Sequence, residues 1–393
     1  MTSNRSIMIG GDTCHVLLAA TASVVTVAAS LLWMKRLEWT SEDGQKKRRY
    51  FQYKVIHDET LIGPNPQREP VDSQASALFQ SDAKESSALL MLTTYSPPSA
   101  SSANNKNLNA VLIHGFGCTS LEFGALVSQL RQDNHSLGIF MYDRVLFTST
   151  SDYQQRPRDA PTLARELFHL LQARGVSPPY LLIGHSYGGL IAQHFCHQHI
   201  HDVQGMVLLD PAHEDQFQTF PTDFALGFTH IIPHVLWFYS KVAWTGVLQF
   251  LDRLALFNFP PLFLLSQQQS ATRRACARLY SEGHVWQRVA MELDGCAQTF
   301  VQMQQQQQQS NTDSIRRDFP PTALVIAGHR QYSPTFFPKA VTTAFLQMHA
   351  TSLPHAKVFM APKSDHWIHL QQPEVVMQGV EYVLEEIQKK KGQ

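Results

Sequence analysis

The chain has no surplus of charge of either sign, with 32 Lys and Arg facing 32 Asp and Glu across 393 residues. Charged residues make up only 16% of it, and this balance argues against a general affinity for nucleic acid or other polyanions. Cysteine is scarce as well. The five cysteines, Cys14, Cys118, Cys196, Cys276 and Cys296, are odd in number, widely scattered and without a C-x-x-C pair. Neither a disulfide framework nor a structural zinc site is indicated, and the thiols read as ordinary reduced side chains. With 44% hydrophobic residues, the chain can instead bury one large core or two modest ones.

What is present first is a long apolar run. "HVLLAATASVVTVAASLLWM", residues 15–34, is 20 residues without a charge. At 1.5 Å per residue such a helix crosses a hydrocarbon core of about 30 Å. The small residues "AAS" at 28–30 allow a cleaved signal peptide as the competing reading, but the apolar run continues through Leu31, Leu32, Trp33 and Met34, which favours an uncleaved anchor. Lys35, Arg36, Lys46, Lys47, Arg48 and Arg49 follow the span, whereas Arg5 alone precedes it, so the positive-inside rule places the bulk of the chain on the cytosolic side. The sequon Asn134-His135-Ser136 would then never meet the glycosylation machinery.

The chain therefore divides into a tail (1–14), a transmembrane anchor (15–34) and a linker with edge strands (35–106), in which "RRYFQYKVI" (48–56) and "ALLMLTTYS" (88–96) have strand composition. From "AVLIHGFG" (110–117) onward, short apolar runs alternate with helical patterns: "LGIFMYD", "PTLARELFHLLQARG", "PYLLIG", "GLIAQHFCHQH", "GMVLLD". That alternation predicts an α/β fold with a mostly parallel sheet and helices on both faces, its first part spanning 107–213. Between 214 and 319 the rhythm stops. Aromatic and aliphatic residues crowd this stretch, helix breaks fall at Pro233 and Pro260-Pro261, and Gln304 to Gln309 form a low-complexity tract read as a surface insertion. An inserted helical cap is expected here. The sheet resumes over 320–393 with "TALVIAG", "AKVFMA" and a closing helix from Pro373 whose lysine-rich end suits the negative pole of the helix dipole.

The chemistry concentrates at strand ends. In Gly184-His185-Ser186-Tyr187-Gly188 a serine sits between glycines on a turn that follows a strand and opens a helix, the strained elbow that lifts a nucleophile clear of a sheet. A serine hydroxyl needs a base to take its proton and preorganised donors for the developing oxyanion. "HGFG" (114–117) can aim the backbone N–H of Phe116 at the same space as that of Tyr187. The base is expected at His366 in "SDHWIHLQQPEVV", with His369 as the other candidate. His194, His197 and His201 share a helical face, but no carboxylate or cysteine pattern completes a metal site, so no metal or cofactor is implied.

The motifs "HGFG", "GHSYGG", "LLDPAHED" and "DHWIHLQQPEVV", in that order over residues 107 to 390, resemble those of capped members of the α/β-hydrolase family. The resemblance implies an α/β-hydrolase fold, Ser186 as nucleophile and His366 as base. Relatives of similar architecture that open epoxides or remove halides place aspartate at the elbow, so Ser186 points to acyl transfer to water instead. Two places depart from the family pattern. "YDRVLFTSTSD" (142–152) lacks the glycines that commonly follow "YDR", and Gln331 stands where the usual acid would follow the strand "TALVIAG". Glutamine cannot offset the charge of an imidazolium. Because the family also tolerates the acid one strand earlier, Asp210 is the favoured third residue, with Glu214 and Asp215 next. A turn-starting Asp-Pro is the bland alternative for Asp210, and Asp365 is poorly placed because neighbouring side chains diverge.

The function expected is a membrane-anchored serine hydrolase cleaving a carboxylic ester, with a small-molecule or lipid ester as substrate, the membrane as partner through the N-terminal helix, and no nucleic acid. A catalytically weak scaffold on the same fold is the alternative, and within enzymes an amidase, peptidase or carbon–carbon bond hydrolase.

Overall fold

The computed structural model describes residues 94–96, 108–132, 137–144, 158–213, 216, 232–254, 270–309, 319–328 and 339–392. In chain order the elements are β1 (Thr94–Ser96), β2 (Asn109–Ile113), α1 (Gly124–Gln132), β3 (Gly138–Met141), α2 (Ala160–Ala173), β4 (Tyr180–His185), α3 (Tyr187–Gln198) and β5 (Val203–Leu209). Next come α4 (Ile232–Trp244), α5 (Val247–Arg253), α6 (Ser270–Tyr280) and α7 (Gly283–Gln309). The chain closes with β6 (Thr322–Ala327), α8 (Lys339–Ser352), β7 (Lys357–Ala361), the one-turn α9 (Ile368–Gln371) and α10 (Pro373–Lys391).

The strands form one sheet in the order β1-β3-β2-β4-β5-β6-β7. Among the described residues only the β1–β3 pairing is antiparallel, and β1 lies at the edge of the described sheet, where part of the expected edge strand 88–96 falls. All other pairings are parallel, with Val111 opposite Leu182, Leu182 opposite Met206 and Leu208 opposite Leu324. The apolar runs follow from this burial. Val111, Ile113, Leu182, Leu208 and Leu324 point into the layer beneath α2 and α3. Their chain neighbours Ala110, Leu112, Leu181, Val207 and Val325 point into the layer beneath α1 and α10. A strand covered on both faces has no polar side to show, so its sequence is continuous rather than alternating.

α10 fills one face with Val376, Val380, Val383 and Ile387 at helical spacing, while Lys389, Lys390 and Lys391 occupy its last turn. β7 is the far edge. It leaves Val358 and Met360 exposed, and Lys357 lies over the rings of Phe359 and Tyr382.

Helices α4 to α7 make an insertion between β5 and β6 with an apolar centre of its own, which includes Leu236, Tyr280, Trp286, Val289 and Leu293. Phe116, Trp367 and Leu370 join that centre, so it rests on the loops at the carboxyl ends of the strands. Pro233 stands in the first turn of α4, a position where a missing N–H costs nothing. The glutamine tract is helical, continuing α7 through Gln309. That is compatible with the good helix propensity of glutamine and refines the expectation of a bare insertion. α8, which no pattern in the sequence had signalled, supplies the crossover that two neighbouring parallel strands require.

No helix among the described residues is long and apolar enough to cross a membrane. The expected span 15–34, the linker strand 48–56, the loop 145–157 after "YDR", the sequon at Asn134, Pro260-Pro261 and the residues Glu214, Asp215 and Gln331 all lie outside the described residues.

Candidate active site

β4 ends at His185 and α3 begins at Tyr187, so Ser186 alone makes the corner, at φ 54° and ψ −122°. A non-glycine residue there is strained, by about 1–3 kcal/mol, and persists only where its surroundings hold it. They do so through the backbone. The Ser186 N–H donates to the Leu209 carbonyl at 2.9 Å, and the Ser186 carbonyl accepts from Gly189 and Ala212, each at 2.9 Å. The corner also needs the helix to start against the neighbouring strand. A Cβ on Gly188 would overlap the carbonyl oxygens of Ile113 and His114, so only glycine permits this approach of α3 to the end of β2.

Asp210 directly follows β5, likewise at positive φ (40°), and its side chain is fully buried. Its N–H donates to the Val325 carbonyl at 2.7 Å, while Oδ1 accepts from the Ala327 N–H at 3.3 Å. Oδ2 meets His366 Nδ1 at 2.7 Å. A carboxylate can only accept, so Nδ1 is the donor in this contact, and in a neutral ring Nε2 is then the accepting nitrogen. The backbone of His366 is fixed too: its N–H donates to Asp365 Oδ1 at 2.8 Å, and its carbonyl accepts from His185 Nε2 at 2.9 Å. The His366 ring lies 4.7 Å from the ring of His185, the residue before Ser186. Burial, together with the nearby His369 and His366 imidazoles, holds His185 well below the ordinary histidine range.

His369, the other sequence candidate, is wholly buried and turned toward Glu122, 3.8 Å away. Asp365 accepts the His366 backbone N–H through Oδ1. Asp210 and His366 are thus the pair that the structure brings together across 156 residues.

Opposite them stands the "HGFG" turn. Cys118 N–H donates to the Gly115 carbonyl at 3.3 Å, and Gly117 adopts φ 62°. Phe116 lies half-buried between the sheet core and the core of the insertion. Tyr187 is the first residue of α3, so its N–H is one of the helix's unsatisfied leading donors. Its phenol is buried and hydrogen-bonded to Thr299 Oγ1 of α7 at 3.0 Å.

Beneath the turn lies a buried polar layer that sequence reasoning missed. Arg144 pairs with Glu292 at 2.8 Å, and its backbone N–H donates to His114 Nε2 at 3.0 Å. His114 Nδ1 must then be the protonated nitrogen, donating to the Gly115 carbonyl at 2.9 Å. This neutral tautomer agrees with burial and the Arg144 charge, which hold His114 well below its usual range. Burial pushes the Asp143 carboxyl up to about 6, against the lowering effect of the hydrogen bonds it accepts from Ser120 and Thr119. Burial also raises the thiols of Cys118 and Cys296 well above the ordinary range, which makes them poor nucleophiles. Arg144 was visible as part of "YDR"; Glu292 carries no local signal at all.

A sequence model described as "Alpha/beta hydrolase family" matches residues 110–378. The chain belongs to the alpha/beta hydrolase family. Among curated relatives, an uncharacterized protein of Bacillus subtilis, YqjL, is 39% identical over 98 residues, which span 25% of this chain and 37% of YqjL. Among solved structures, a candidate acyltransferase from Salmonella enterica superposes with a TM-score of 0.52 at 15% identity, covering 75% of this chain and 91% of that one. Cfl2 from Burkholderia cenocepacia gives 0.50 at 14% identity, covering 74% and 90%. At such identities the likeness is one of fold.

Proposed function

We propose that the protein is a serine hydrolase that cleaves a carboxylic ester, with Ser186 as nucleophile, His366 as base and Asp210 as the acid that orients it. The observation that carries this reading is the 2.7 Å bond from His366 Nδ1 to the buried Asp210 carboxylate, on the same rim of the sheet as a serine held at a positive-φ elbow. The steps follow from these groups. Ser186 Oγ attacks the ester carbonyl while His366 Nε2 takes its proton, and the oxyanion forms opposite the N–H groups of Phe116 and Tyr187. The imidazolium returns the proton to the departing alkoxide, which leaves as an alcohol. Water then attacks the acyl-serine, again deprotonated by His366, and releases the carboxylic acid and the free serine. Asp210 stabilises the imidazolium in both halves.

A lipid-like ester is the substrate class we favour. The helical insertion over the site is apolar, and Trp237, Trp244 and Phe250 on its helices are more than half exposed, side chains suited to an amphiphilic surface. The uncharged run 15–34 agrees with that choice, and we read it as an anchor that leaves the catalytic domain in the cytosol.

A fluorophosphonate probe tests the chemistry. Labelling of wild type and loss of the label in Ser186→Ala supports the proposal, and ester turnover should fall by several powers of ten in the same variant. A folded wild type that takes no label would turn the reading toward a non-catalytic binding protein. A panel of esters of graded acyl length then identifies the acyl preference.

A further inference from the structure

The peptide groups flanking Phe116 are held by two charged side chains that the acyl-transfer steps do not use. Arg144 donates through Nη2 to the Gly115 carbonyl at 2.8 Å and through Nε to Glu292 Oε1 at 2.8 Å. The other carboxylate oxygen, Oε2, accepts the Gly117 N–H at 3.0 Å. Glu292 belongs to α7 and lies 148 residues from Arg144 in the chain. From α6, the Tyr280 hydroxyl donates to the Gly117 carbonyl at 2.8 Å. The turn that presents one of the two proposed oxyanion donors is therefore held from the sheet side by an arginine and from the insertion side by a glutamate and a tyrosine.

This pair is a weak device for stability alone. Both side chains are 5–6% exposed. At that depth the cost of stripping water from two charges offsets much of their attraction, and an apolar pair of similar volume often serves as well. An apolar pair, however, could not grip a carbonyl and an N–H of one turn simultaneously. The forked guanidinium and the two-oxygen carboxylate do so with one bond to each other and one each to the backbone.

We propose that Arg144 and Glu292 are positioning residues that fix the Gly115–Gly117 turn for oxyanion stabilisation, so that docking of α7 completes the catalytic site. The inference rests on the serine-hydrolase reading. Neither residue touches the reacting atoms, and both act through the backbone on either side of Phe116. The helical insertion thereby helps to set the rate of acyl transfer besides enclosing the substrate.

The test uses the full-length protein in two assays: kcat and KM for an ester, and the rate constant and end-point stoichiometry of fluorophosphonate labelling. Glu292→Gln keeps the shape and one acceptor but removes the charge opposite Arg144. Arg144→Lys keeps the charge but not the fork. Each variant should lower kcat and the labelling rate constant together by about 10- to 100-fold, less than the ~10² to 10³ lost when an oxyanion donor is removed outright. KM and the fraction of sites finally labelled should stay close to wild type. Combining the two changes should cost less than the product of the single effects, because both break one grip. Wild-type rate constants in either folded variant would overturn the inference. So would a loss seen only as fewer labelled sites with an unchanged rate constant per site, which is the signature of a merely structural pair. If Glu292→Gln fails to fold, Arg144→Lys is read by the same criteria. A wild type that takes no label would overturn the serine-hydrolase reading, and this inference with it, so the two failures are told apart.

Discussion

Asp210 does three things with one short side chain at the end of β5: it turns the backbone at φ 40°, accepts the Ala327 N–H, and meets the His366 ring. The turn-starting role and the proposed triad role are thus not alternatives. With glutamine at 331 in the sequence, the carboxylate that meets the imidazole is Asp210, after the neighbouring strand. Asp210→Asn should leave the protein folded and lower ester turnover by about 10³ to 10⁴, because an amide tolerates the wrong tautomer and cannot stabilise the imidazolium. Steady-state kinetics beside a thermal melt checks this. Wild-type turnover would reduce Asp210 to a turn residue. Reading the single sequence, Ser186 was legible from its flanking glycines and Asp210 from its place after "GMVLL", but their relation to His366 was only an expectation, since no local pattern encodes a contact 156 residues long.

At the scale of elements, the β4–α3 corner concentrates the constraint. Gly188→Ala would drive a methyl into two carbonyl oxygens at the end of β2, where neither neighbour is a flexible side-chain tip. We expect a loss of about 1–3 kcal/mol or more, as for other overpacked sites, together with a large loss of turnover because Ser186 and the Tyr187 N–H move with the helix start. Urea denaturation and kinetics on the same preparation measure both; unchanged values would mean the corner is looser than its contacts indicate. The elements missed by the sequence reading fail for an identifiable reason. α8 ("KAVTTAFLQMHATS") buries His349 and Ser352 beside Met348 in its last two turns, so polar side chains fall where an apolar stripe would continue.

For the whole molecule, the buried imidazoles set a direction for pH dependence. His114, His185, His349 and His369 are each at most 1% exposed, and burial holds all four below the ordinary value, His349 at about 3. An unfolded imidazole protonates near about pH 6.5. The stability tied to these groups is therefore complete above that value and is lost as pH falls below it, by about 1.4 kcal/mol per pH unit for each ring that stays neutral in the fold. Asp143 works the other way. Its carboxyl, raised to about 6, keeps a proton between about pH 4 and 6 that the unfolded chain has lost, which adds stability as the pH falls, but it is one group against four. Denaturant midpoints should thus drop steeply between pH 7 and pH 5, and His349→Gln should flatten that slope. A flat profile would contradict neutral burial. The proposed topology is a separate test at this scale. With a cytosolic domain, protease added to intact microsomes digests it and Asn134 carries no glycan, whereas a glycosidase-sensitive mass shift that disappears in Asn134→Gln would reverse the orientation.

The sequence by itself determined the sheet and most of its covering helices, because a strand buried on both faces must be apolar throughout and a helix covering it must be striped, and both are local patterns. It also determined the elbow, since the glycines at 184 and 188 stand where backbone crowding in this strand-turn-helix leaves no room for a Cβ. The tertiary structure decided that Asp210 meets His366, that His369 turns to Glu122, and that Glu292 of the insertion meets Arg144 beneath the "HGFG" turn. These are contacts between residues far apart in the chain. Burial and charge act there through space, with no period or spacing along the sequence to announce them.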